Sequence, residues 1–346
     1  MSVLSVIIAM LTLNFMHQTA DTSLCPPKIL LGPCDCSAPG RAYSCYANSP
    51  DIALNIKSIF TDAALVTRKS ELRWRTFKLI GLYDDRALVE EFDDNVFAGF
   101  QFETIFIRYT RLQFIHPNAF YSTHNYTDVL RLGSNQITNS KQDESEYQIF
   151  NILSQFTKLT QVDLSDNRLQ VIPANAFRSP QGVELQISSL SFRTNLITEI
   201  GNNAFSELPH LRNLDLSMNK INQIGVQTFP LTARNRDTLL MFEMYDNGLT
   251  EQSFDNTFRN VERKIWLNIF KNNVSFLPEQ QFSRLLTTRN SSVRLAQNPL
   301  VCNCEQFGYL ERLHRVDSRL ELNLSGGICK DTNESLWTWL EGANCT

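Results

Sequence analysis

Residues 159–169 have the sequence Leu-Thr-Gln-Val-Asp-Leu-Ser-Asp-Asn-Arg-Leu, and this stretch decides the fold. Apolar residues stand five and three positions before Asn167, and another stands two positions after it. The pattern recurs around Asn195 and Asn219, with weaker copies around four other asparagines and two degenerate copies at Asp85 and Thr110. The nine positions of the repeat are therefore 85, 110, 135, 167, 195, 219, 247, 272 and 298.

The repeats follow one another at intervals of 24 to 32 residues. A period of this length, with this asparagine pattern, is typical of leucine-rich repeats. A phenylalanine ten to twelve residues after the repeat position gives a second and independent check of the register. It is present in seven repeats, at Phe97, Phe120, Phe177, Phe205, Phe229, Phe258 and Phe282.

The residue types at these positions predict how each turn folds. The two apolar residues before the asparagine point inward from a short parallel strand. A buried asparagine amide both donates and accepts, so it can bridge the backbones of adjacent turns. The phenylalanine fills the convex side with a stack of rings. The expected fold is an α/β-type solenoid, a leucine-rich repeat horseshoe whose parallel concave sheet spans roughly 40 Å. Because Asp85 and Thr110 offer fewer donors, the N-terminal turns should be less regular.

The composition excludes several classes of protein. The chain has 346 residues, with 32 Lys and Arg against 36 Asp and Glu, and its net charge is −4. A protein that binds nucleic acid usually shows a basic excess, so we expect no nucleic-acid partner. With 42% hydrophobic and 20% charged residues, the composition is that of a globular rather than a disordered protein.

The N-terminus and the cysteines predict secretion to the extracellular space. Residues 3–13 form an apolar run suited to a signal peptide, which we place at residues 1–20; a helix within the fold is the alternative. No other stretch is long and apolar enough for a membrane span. The eight cysteines lie only at the two ends of the chain. Exported cysteines are usually oxidised, and the spacing is poor for the alternative of zinc, so we expect no metal.

The repeats divide the chain into four parts. After the signal peptide, residues 21–78 form an N-terminal cysteine cap with a divergent first segment, residues 79–298 hold the repeats, and residues 299–346 form a C-terminal cap. Caps are needed because the end turns of a solenoid expose apolar core.

Two segments fit the repeat poorly. In the divergent segment, residues 62–66 favour a helix, and Trp74 and Phe77 have the character of buried residues; the rest of residues 46–78 follows no pattern that we can assign. Residues 138–150 form an insertion in the long repeat, where acidic residues favour a solvated loop, namely Asp143, Glu144 and Glu146.

The two cysteine groups resemble the caps of extracellular leucine-rich repeat proteins. The first has the spacing Cys-x8-Cys-x-Cys-x8-Cys, and the second follows residues 298–304, where Leu300 stands in a position that often holds tryptophan. Four cysteines allow three pairings, so spacing alone fixes none of them. The resemblance implies the disulfides Cys25–Cys36, Cys34–Cys45, Cys302–Cys329 and Cys304–Cys345.

Four segments carry a more specific resemblance, namely residues 56–60, 100–107, 254–258 and 298–304. The chain is similar to arthropod secreted proteins of the family of the non-catalytic leucine-rich subunit of oplophorus-luciferin 2-monooxygenase. The resemblance covers nearly the whole mature chain. It implies a secreted binding or scaffold role, and it transfers no catalytic residues.

The sequence contains no catalytic motif that we recognise. A nucleophile elbow, a His-Glu-x-x-His pair and a phosphate-binding glycine loop are all missing. The five histidines are scattered along the chain, and solvated or structural roles suit them better than catalysis. We therefore expect a protein that is not an enzyme and carries no cofactor.

The concave face is the predicted binding surface, because its strands present rows of outward side chains on a rigid scaffold. These rows stand two, four and six positions before the repeat asparagine. In the first repeat this register assigns Leu79, Gly81 and Tyr83 to the concave face.

Two groups of concave residues are candidates for binding. An aromatic patch on adjacent strands should be exposed, as interface anchors often are; it comprises Met241, Tyr245, Trp266 and Phe270. The alternative is that these side chains contact each other or a cap. The second group is a central acidic strip flanked by arginines, with Asp163, Asp215, Glu243 and, beside them, Arg108, Arg131 and Arg294.

The predicted glycans leave this face free. Asn-x-Ser/Thr acceptors on an exported chain are N-glycosylation sites. We expect glycans outside the three rows, at Asn125, Asn273, Asn290, Asn323 and Asn333.

Together these features predict a secreted, non-enzymatic protein that binds a macromolecular partner through its concave face. We expect this partner to be a protein, with Tyr245, Trp266 and Phe270 supplying affinity and Asp215 and Glu243 supplying specificity. The alternatives are a matrix component that self-associates and a non-catalytic subunit of a secreted enzyme complex. The ligand and the oligomeric state have no signature in the sequence.

Overall fold

The computed structural model describes residues 25–46, 55–67, 72–81, 89–139, 148–231, 238–255, 257–343 and 345. The expected signal peptide and the three acidic residues of the insertion lie outside these ranges. Within them, no helix has both the length and the apolar character needed to cross a lipid bilayer.

One twelve-stranded sheet runs along one side of the described chain. Its strands follow chain order: β1 (Cys34–Ser37), β2 (Ala42–Tyr46), β3 (Arg73–Ile80), β4 (Gln101–Arg108), β5 (Val129–Arg131), β6 (Gln161–Asp163), β7 (Ser189–Ser191), β8 (Asn213–Asp215), β9 (Leu240–Glu243), β10 (Ile265–Asn268), β11 (Ser292–Arg294) and β12 (Leu324–Ser325). Strands β1 and β2 are antiparallel, and every later neighbour is parallel. The sheet is longer than the nine predicted strands, because both caps add strands that pair its ends.

The opposite side of the solenoid carries short strands and helices. Two-residue strands pair as Glu91–Phe92 with Phe114–Ile115 and as Thr138–Asn139 with Arg168–Leu169, and three more form a small sheet of Val171–Ile172, Glu199–Ile200 and Gln223–Ile224. The helices are α1 (Lys28–Leu31), α2 (Ile56–Val66), α3 (Gln148–Leu153), α4 (Glu279–Thr287), α5 (Cys304–Val316), α6 (Leu320–Asn323) and α7 (Leu336–Ala343), with a 3₁₀ turn at Glu251–Phe254.

The repeat asparagines form a hydrogen-bonded ladder between turns. The Asn195 amide Nδ2 donates to the carbonyls of Phe192 in its own turn and Leu164 in the preceding turn, both at 3.0 Å. Its Oδ1 accepts from the backbone N–H of Leu169, also at 3.0 Å. The same three bonds recur at Asn167, Asn219, Asn247, Asn272 and Asn298. The ladder therefore satisfies backbone groups that would otherwise be buried and unpaired.

Thr110 replaces asparagine in one degenerate repeat and takes over part of this role. Its hydroxyl donates to the Oδ1 of Asn135 at 2.7 Å and accepts from the N–H of Leu112 at 3.2 Å. A hydroxyl has one proton, so it supplies one donor where an asparagine amide supplies two.

The phenylalanines form the expected spine along the convex side. Phe205 stacks between Phe177 and Phe229, with ring centroids 5.6 Å and 5.9 Å away. The spine is interrupted at the long repeat, where Phe156 contacts Phe120 at 5.8 Å and Phe150 of α3 contacts Phe177 at 5.9 Å. These two extra rings fill the wider gap between turns, so the core stays continuous.

The residue immediately before each ladder position has a left-handed backbone, and none of these residues is glycine. Their φ angles lie between 53° and 59°, at Tyr109, Ser134, Asp166, Thr194, Met218, Asp246, Lys271 and Gln297. An L-residue in this region is strained by about 1–2 kcal/mol. The strain is offset because this turn directs the next side chain, the asparagine, into the core, where it makes the ladder hydrogen bonds.

The first repeat differs from the prediction. Phe77 and Leu79 of β3 pair with Ile105 and Ile107 of β4, and both side chains are fully buried. Leu79 is therefore a core residue, and Gly81 is buried as well, which corrects their assignment to the concave face. The true register lies three residues earlier than Asp85 implies, so that Thr76, Lys78 and Ile80 take the outward positions. Tyr83 and Asp85 lie outside the described residues.

The divergent segment builds an aromatic N-terminal core. Helix α2 contains the predicted helical residues, and Trp74 and Phe77 are buried as expected. From α2, Phe60 contacts Phe77 at 5.5 Å and Phe97 at 5.3 Å. These rings bury the apolar surface that the irregular first turns leave open.

Disulfides close both caps, in the pairs that the resemblance implies. The Cα–Cα distances are 5.7 Å for Cys25–Cys36, 4.0 Å for Cys34–Cys45, 5.5 Å for Cys302–Cys329 and 5.2 Å for Cys304–Cys345. Leu300 is fully buried, so leucine fills the position where the resembling caps often have tryptophan.

Candidate binding surface on the concave sheet

The parallel pairing places the predicted concave residues in straight rows. One row crosses β8 to β11 through Asn213, Met241, Trp266 and Ser292, and the next runs through Asp215, Glu243, Asn268 and Arg294. The residues between these positions, such as Leu214, Phe242 and Leu267, are buried in the core. Because side chains alternate along a strand, the two rows face outward on the concave side.

The aromatic patch of Met241, Tyr245, Trp266 and Phe270 is assembled, but it is less exposed than the sequence suggests. Met241 is 44% exposed and lies directly beside Trp266 on the neighbouring strand. The three aromatic side chains are half-buried. Their cover includes arginines, since two guanidinium groups lie over two of the rings.

Two arginine side chains stack on rings of the patch. The Cζ of Arg193 lies 5.4 Å from the centre of the Tyr245 ring, and the Cζ of Arg294 lies 5.1 Å from the centre of the Phe270 ring. Both distances are within the range of cation–π attraction. Arg193 is absent from the predicted patch because sequence reasoning paired aromatic residues by strand and ignored the reach of a long side chain. The sequence did place Arg193 in the same outward row as Tyr245, two strands away, and this position could have indicated the contact.

The predicted acidic strip is in fact two separate groups. Asp215 and Glu243 are direct neighbours on β8 and β9, whereas Asp163 is separated from Asp215 by Ser191. Asp163 is held locally, accepting from the N–H of Ser165 at 2.9 Å. Its direct neighbour on β5 is Arg131, whose side chain is exposed. Within the described chain, Asp163 and Arg131 form no ion pair.

Glu243 is the most perturbed carboxylate of this face. Burial raises its pKa, the hydrogen bond from Asn268 lowers it, and the nearby charge of Asp215 raises it; the charges of Arg294 and Arg193 lower it. The net pKa lies above the ordinary value, because desolvation of the charged form is the largest effect. Burial likewise raises the pKa of Tyr245, so its phenol is neutral at physiological pH.

Ser217 has an unusual environment for a residue of the outward rows. It occupies the outward row between Arg193 and Tyr245, yet its side chain is fully buried and its hydroxyl has no hydrogen-bond partner. Asp215 accepts from the N–H of this serine at 3.0 Å. A buried hydroxyl without a partner is unusual in a folded protein.

The glycosylation acceptors stand away from these rows. Four are exposed, at Asn125, Asn273, Asn290 and Asn333. Asn323 is half-buried, and its Nδ2, the atom that would carry the sugar, donates to the carbonyl of Leu286 at 3.2 Å.

The titratable groups of the described chain do not converge elsewhere. No group of three or more His, Cys, Asp or Glu side chains with metal-binding geometry is present in the described ranges. His210 bonds Glu184 at 2.9 Å, His124 bonds the carbonyl of Tyr121 at 2.7 Å, and His314 packs on Trp337. Each of these histidines therefore has a local structural contact.

Comparison with known proteins agrees with the fold. Residues 157–221 match the family model described as leucine rich repeat. Osteomodulin of Bos taurus is 26% identical over 235 residues, which covers 62% of this chain and 52% of osteomodulin. Oligodendrocyte-myelin glycoprotein of Homo sapiens is 24% identical over 167 residues, covering 46% of this chain and 37% of that protein. The chain thus spans about half the length, or less, of these relatives, and none of their names describes an enzyme.

A solved structure shows the same architecture. It is the octameric complex of latrophilin 3, Unc5D and FLRT2, in which FLRT2 contributes the leucine-rich repeats. The match has a TM-score of 0.53 at 16% identity and covers 90% of this chain and 97% of the matched chain. The asparagine ladder, the parallel sheet and the closed caps agree with these comparisons, and the chain has the leucine-rich repeat fold, a solenoid with disulfide-capped ends.

Proposed function

We propose that this protein binds an extracellular protein partner through its concave sheet and has no catalytic activity of its own. The observation that carries the proposal is the patch of Met241, Tyr245, Trp266 and Phe270 on the outward rows of β9 and β10 and the turns that follow them. The core is complete without these side chains, since the inward positions of both strands are already filled.

The residue types of the patch favour a protein interface. Tryptophan, tyrosine and arginine are the residues that most often dominate the binding energy of such interfaces. The sheet holds them in register through a continuous ladder of parallel strands, so little ordering is required when a partner binds.

The charges around the patch favour selectivity. Asp215 and Glu243 lie between Arg193 on one side and Arg294 on the other, so two adjacent negative groups are flanked by positive ones. Such a surface excludes partners that present like charges at the same places. It also suits a folded protein better than a uniform polyanion.

Two further observations support an extracellular binding role. Disulfides persist in oxidising compartments, and all four of this chain lie in its caps. FLRT2, which shares the fold, is part of a complex with latrophilin 3 and Unc5D. We extend the idea of a protein partner, without its identity, to this chain.

The test is affinity capture from extracellular fluid of the source organism. Wild-type protein is compared with Trp266→Ala/Phe270→Ala and with a control, Phe114→Ala/Tyr121→Ala, which removes two exposed aromatic side chains (55% and 67%) outside the concave rows. We expect mass spectrometry to identify a protein that wild type and control retain and the concave variant loses. A protein retained equally by all three would place the binding surface elsewhere.

Self-association is a second candidate, favoured by apolar side chains on the N-terminal cap. Ile29 of α1 and Leu65 of α2 are 74% and 66% exposed. Sedimentation of the purified protein over a range of concentrations separates the two functions. A mass that rises with concentration, and falls in Ile29→Ser/Leu65→Ser, would support self-association.

The resemblance to the luciferase-complex subunit yields a narrower proposal, based on residues 56–60, 100–107, 254–258 and 298–304. In that case the captured partner is a secreted enzyme, and this chain serves as its non-catalytic subunit. Activity found in the captured complex and lost when the second chain is removed would support this role.

A further inference from the structure

We propose that Tyr245, Asp215 and Glu243 form a site for an arginine side chain of the partner, and that Arg193 fills this arginine site in the unbound protein. The inference rests on the proposed function, because it names the chemistry that the concave face recognises. It depends on four observations about the side chains around Ser217.

The first observation is the reach of Arg193. This residue follows β7, whereas Tyr245 follows β9, so its side chain crosses the intervening turn after β8 to place its guanidinium over the phenol ring. Adjacent strands are about 4.8 Å apart, so the two backbones are separated by roughly 10 Å, and the side chains of Arg193 and Tyr245 close this distance together. Ser217, which stands between them in the row, is fully buried, as expected if the side chain of Arg193 covers it.

The second observation is how weakly Arg193 is held. Its Nη2 contacts the sulfur of Met218 at 3.4 Å, and within the described chain it has no ion pair with a carboxylate. Contacts of an exposed cation with a ring and with a thioether are weak. Arg193 can therefore leave Tyr245 without breaking a strong bond.

The third observation is that both carboxylates keep one oxygen free. Asp215 uses Oδ1 to accept from Ser217, and Glu243 uses Oε2 to accept from Asn268 at 2.7 Å. In the described part of the chain, the other oxygen of each accepts no hydrogen bond. The two residues are direct neighbours on β8 and β9, and like charges placed opposite each other destabilise a sheet. A bound cation would remove this repulsion.

The fourth observation is the hydroxyl of Ser217, which is buried and has no partner. When Arg193 moves away, this hydroxyl faces the opened space and can accept from an incoming N–H group. The site then offers a flat ring and three acceptors: the free oxygens of Asp215 and Glu243 and the hydroxyl of Ser217.

These features fit a guanidinium group in particular. A guanidinium is planar, so it stacks on a ring, and it carries five N–H donors in its plane for carboxylates and hydroxyls. A lysine ammonium supplies charge but no flat face. Arg193 itself shows that a guanidinium fits over Tyr245 at 5.4 Å.

The opposite role for Arg193 is an anion contact, in which its exposed guanidinium binds an acidic partner. The neighbourhood disfavours this role, because Asp215 and Glu243 would lie beneath the bound anion. The two roles predict opposite effects of removing Arg193, so one experiment distinguishes them.

The experiment is an NMR titration of the full chain with four capped peptides of sequence Gly-Gly-Xaa-Gly-Gly, where Xaa is arginine, citrulline, lysine or glutamate. Citrulline has the shape of arginine without its charge. The proteins are wild type, Arg193→Ala, Arg193→Ala/Tyr245→Ala and the control Arg178→Ala, which removes an exposed arginine outside the concave rows. Circular dichroism confirms that each variant is folded.

We expect Arg193→Ala to bind the arginine peptide about two- to fivefold more tightly than wild type, the range of one exposed cation–π contact. It should prefer arginine over lysine and citrulline, and the second substitution, Tyr245→Ala, should abolish the gain. Arg178→Ala should bind as wild type does. Equal or weaker binding of the arginine peptide by Arg193→Ala, or no binding by any protein, would overturn the proposal.

Binding of the glutamate peptide by wild type, lost in Arg193→Ala, would instead make Arg193 an anion contact and would also overturn it. The capture experiment fails or succeeds independently, because it depends on Trp266 and Phe270. A partner that is lost from the Trp266→Ala/Phe270→Ala variant, together with no arginine preference, would retain the concave surface and reject the arginine site.

Discussion

The side-chain amide of Asn268 donates a hydrogen bond of 2.7 Å to Glu243 on the neighbouring strand of the concave sheet. This bond favours the charged carboxylate, whereas burial and the charge of Asp215 favour the protonated form. Burial is the largest of these effects, so the folded state holds the proton of Glu243 more tightly than the unfolded chain does.

Replacing Glu243 by Gln should therefore flatten the dependence of stability on pH. A raised pKa in the folded state means that stability is highest below the ordinary value near 4.5 and falls as the pH rises through the raised pKa. Gln keeps the acceptor for Asn268 and loses the charge. We expect its free energy of unfolding near neutral pH to exceed that of wild type by up to about 1 kcal/mol, since the site is partly solvated.

Urea denaturation below and above this window measures the effect, with the exposed Glu207→Gln as control. A Glu243→Gln profile parallel to that of wild type would show that this carboxyl does not couple to folding.

Replacing Asn195 by Ala should destabilise the solenoid by about 3 kcal/mol. The substitution leaves the N–H of Leu169 and the carbonyls of Leu164 and Phe192 buried without partners. Each such group costs about 1–3 kcal/mol, and part of this cost is relieved by local relaxation. Urea denaturation of Asn195→Ala beside the exposed Asn213→Ala tests the ladder; equal stability of the two variants would contradict it.

Replacing Phe205 by Ala should lower the free energy of unfolding by about 3–5 kcal/mol. Its ring is fully buried between those of Phe177 and Phe229, so the truncated side chain leaves a ring-sized cavity between these two neighbours. Phe114→Ala, at an exposed ring, should cost less than about 1 kcal/mol. Calorimetry of both variants provides the measurement, and similar melting temperatures would argue against a spine that supports stability.

Replacing Thr194 by Gly should stabilise the protein, although glycine usually destabilises. Thr194 is β-branched and has a φ of 56°, where an L-residue is strained by about 1–2 kcal/mol. Glycine removes this strain and loses about 0.5–1 kcal/mol through unfolded-state entropy, for a net gain of about 0.5–1 kcal/mol. Thr198, four residues later, has no left-handed backbone, so Thr198→Gly relieves no strain, loses the long hydroxyl bond to the carbonyl of Gln170 (3.4 Å) and should destabilise. Thermal unfolding of both variants tests the opposite signs.

Glycopeptide mapping of the secreted protein should find sugars only away from the concave rows. The exposed acceptors Asn125, Asn273 and Asn290 should be occupied more fully than Asn323, whose Nδ2 bonds the carbonyl of Leu286. A sugar on any residue of the concave rows would be incompatible with a partner bound there.

The periodic part of the fold could be predicted because each turn places the same residue types at the same positions. From Thr110 onward the asparagines and the apolar residues before them set the register, and the concave rows follow from it. The first repeat could not be placed, because no asparagine marks it. Asp85 gave a wrong register for this repeat. The burial of Phe77 and Leu79 depends on the aromatic cluster to which α2, distant in the sequence, contributes Phe60.

The candidate site was predictable only in outline. Strand register located Met241, Trp266, Asp215 and Glu243, but it does not show how far a side chain reaches. The contact between Arg193 and Tyr245 depends on the rotamer of the Arg193 side chain, which the sequence does not specify.

Buried Arg263 shows the same limit. It lies in the core among the carbonyls of Leu211, Pro230 and Thr238, and burial lowers its pKa to about 10. Its neighbours in the sequence do not mark it as a core residue.

The position of the disulfides determines how the molecule would respond to a pulling force. All eight cysteines are within the caps, and the bonds join residues only 11 to 41 positions apart, so no disulfide connects one repeat to the next. Under tension applied between its ends, the chain would keep its two disulfide-bonded caps closed, while the repeats between Cys45 and Cys302 unfold one after another. Roughly 250 residues would then extend to about 850 Å. A protein attached at both ends would thus lengthen under load through its repeats, while its disulfide-bonded caps stay closed.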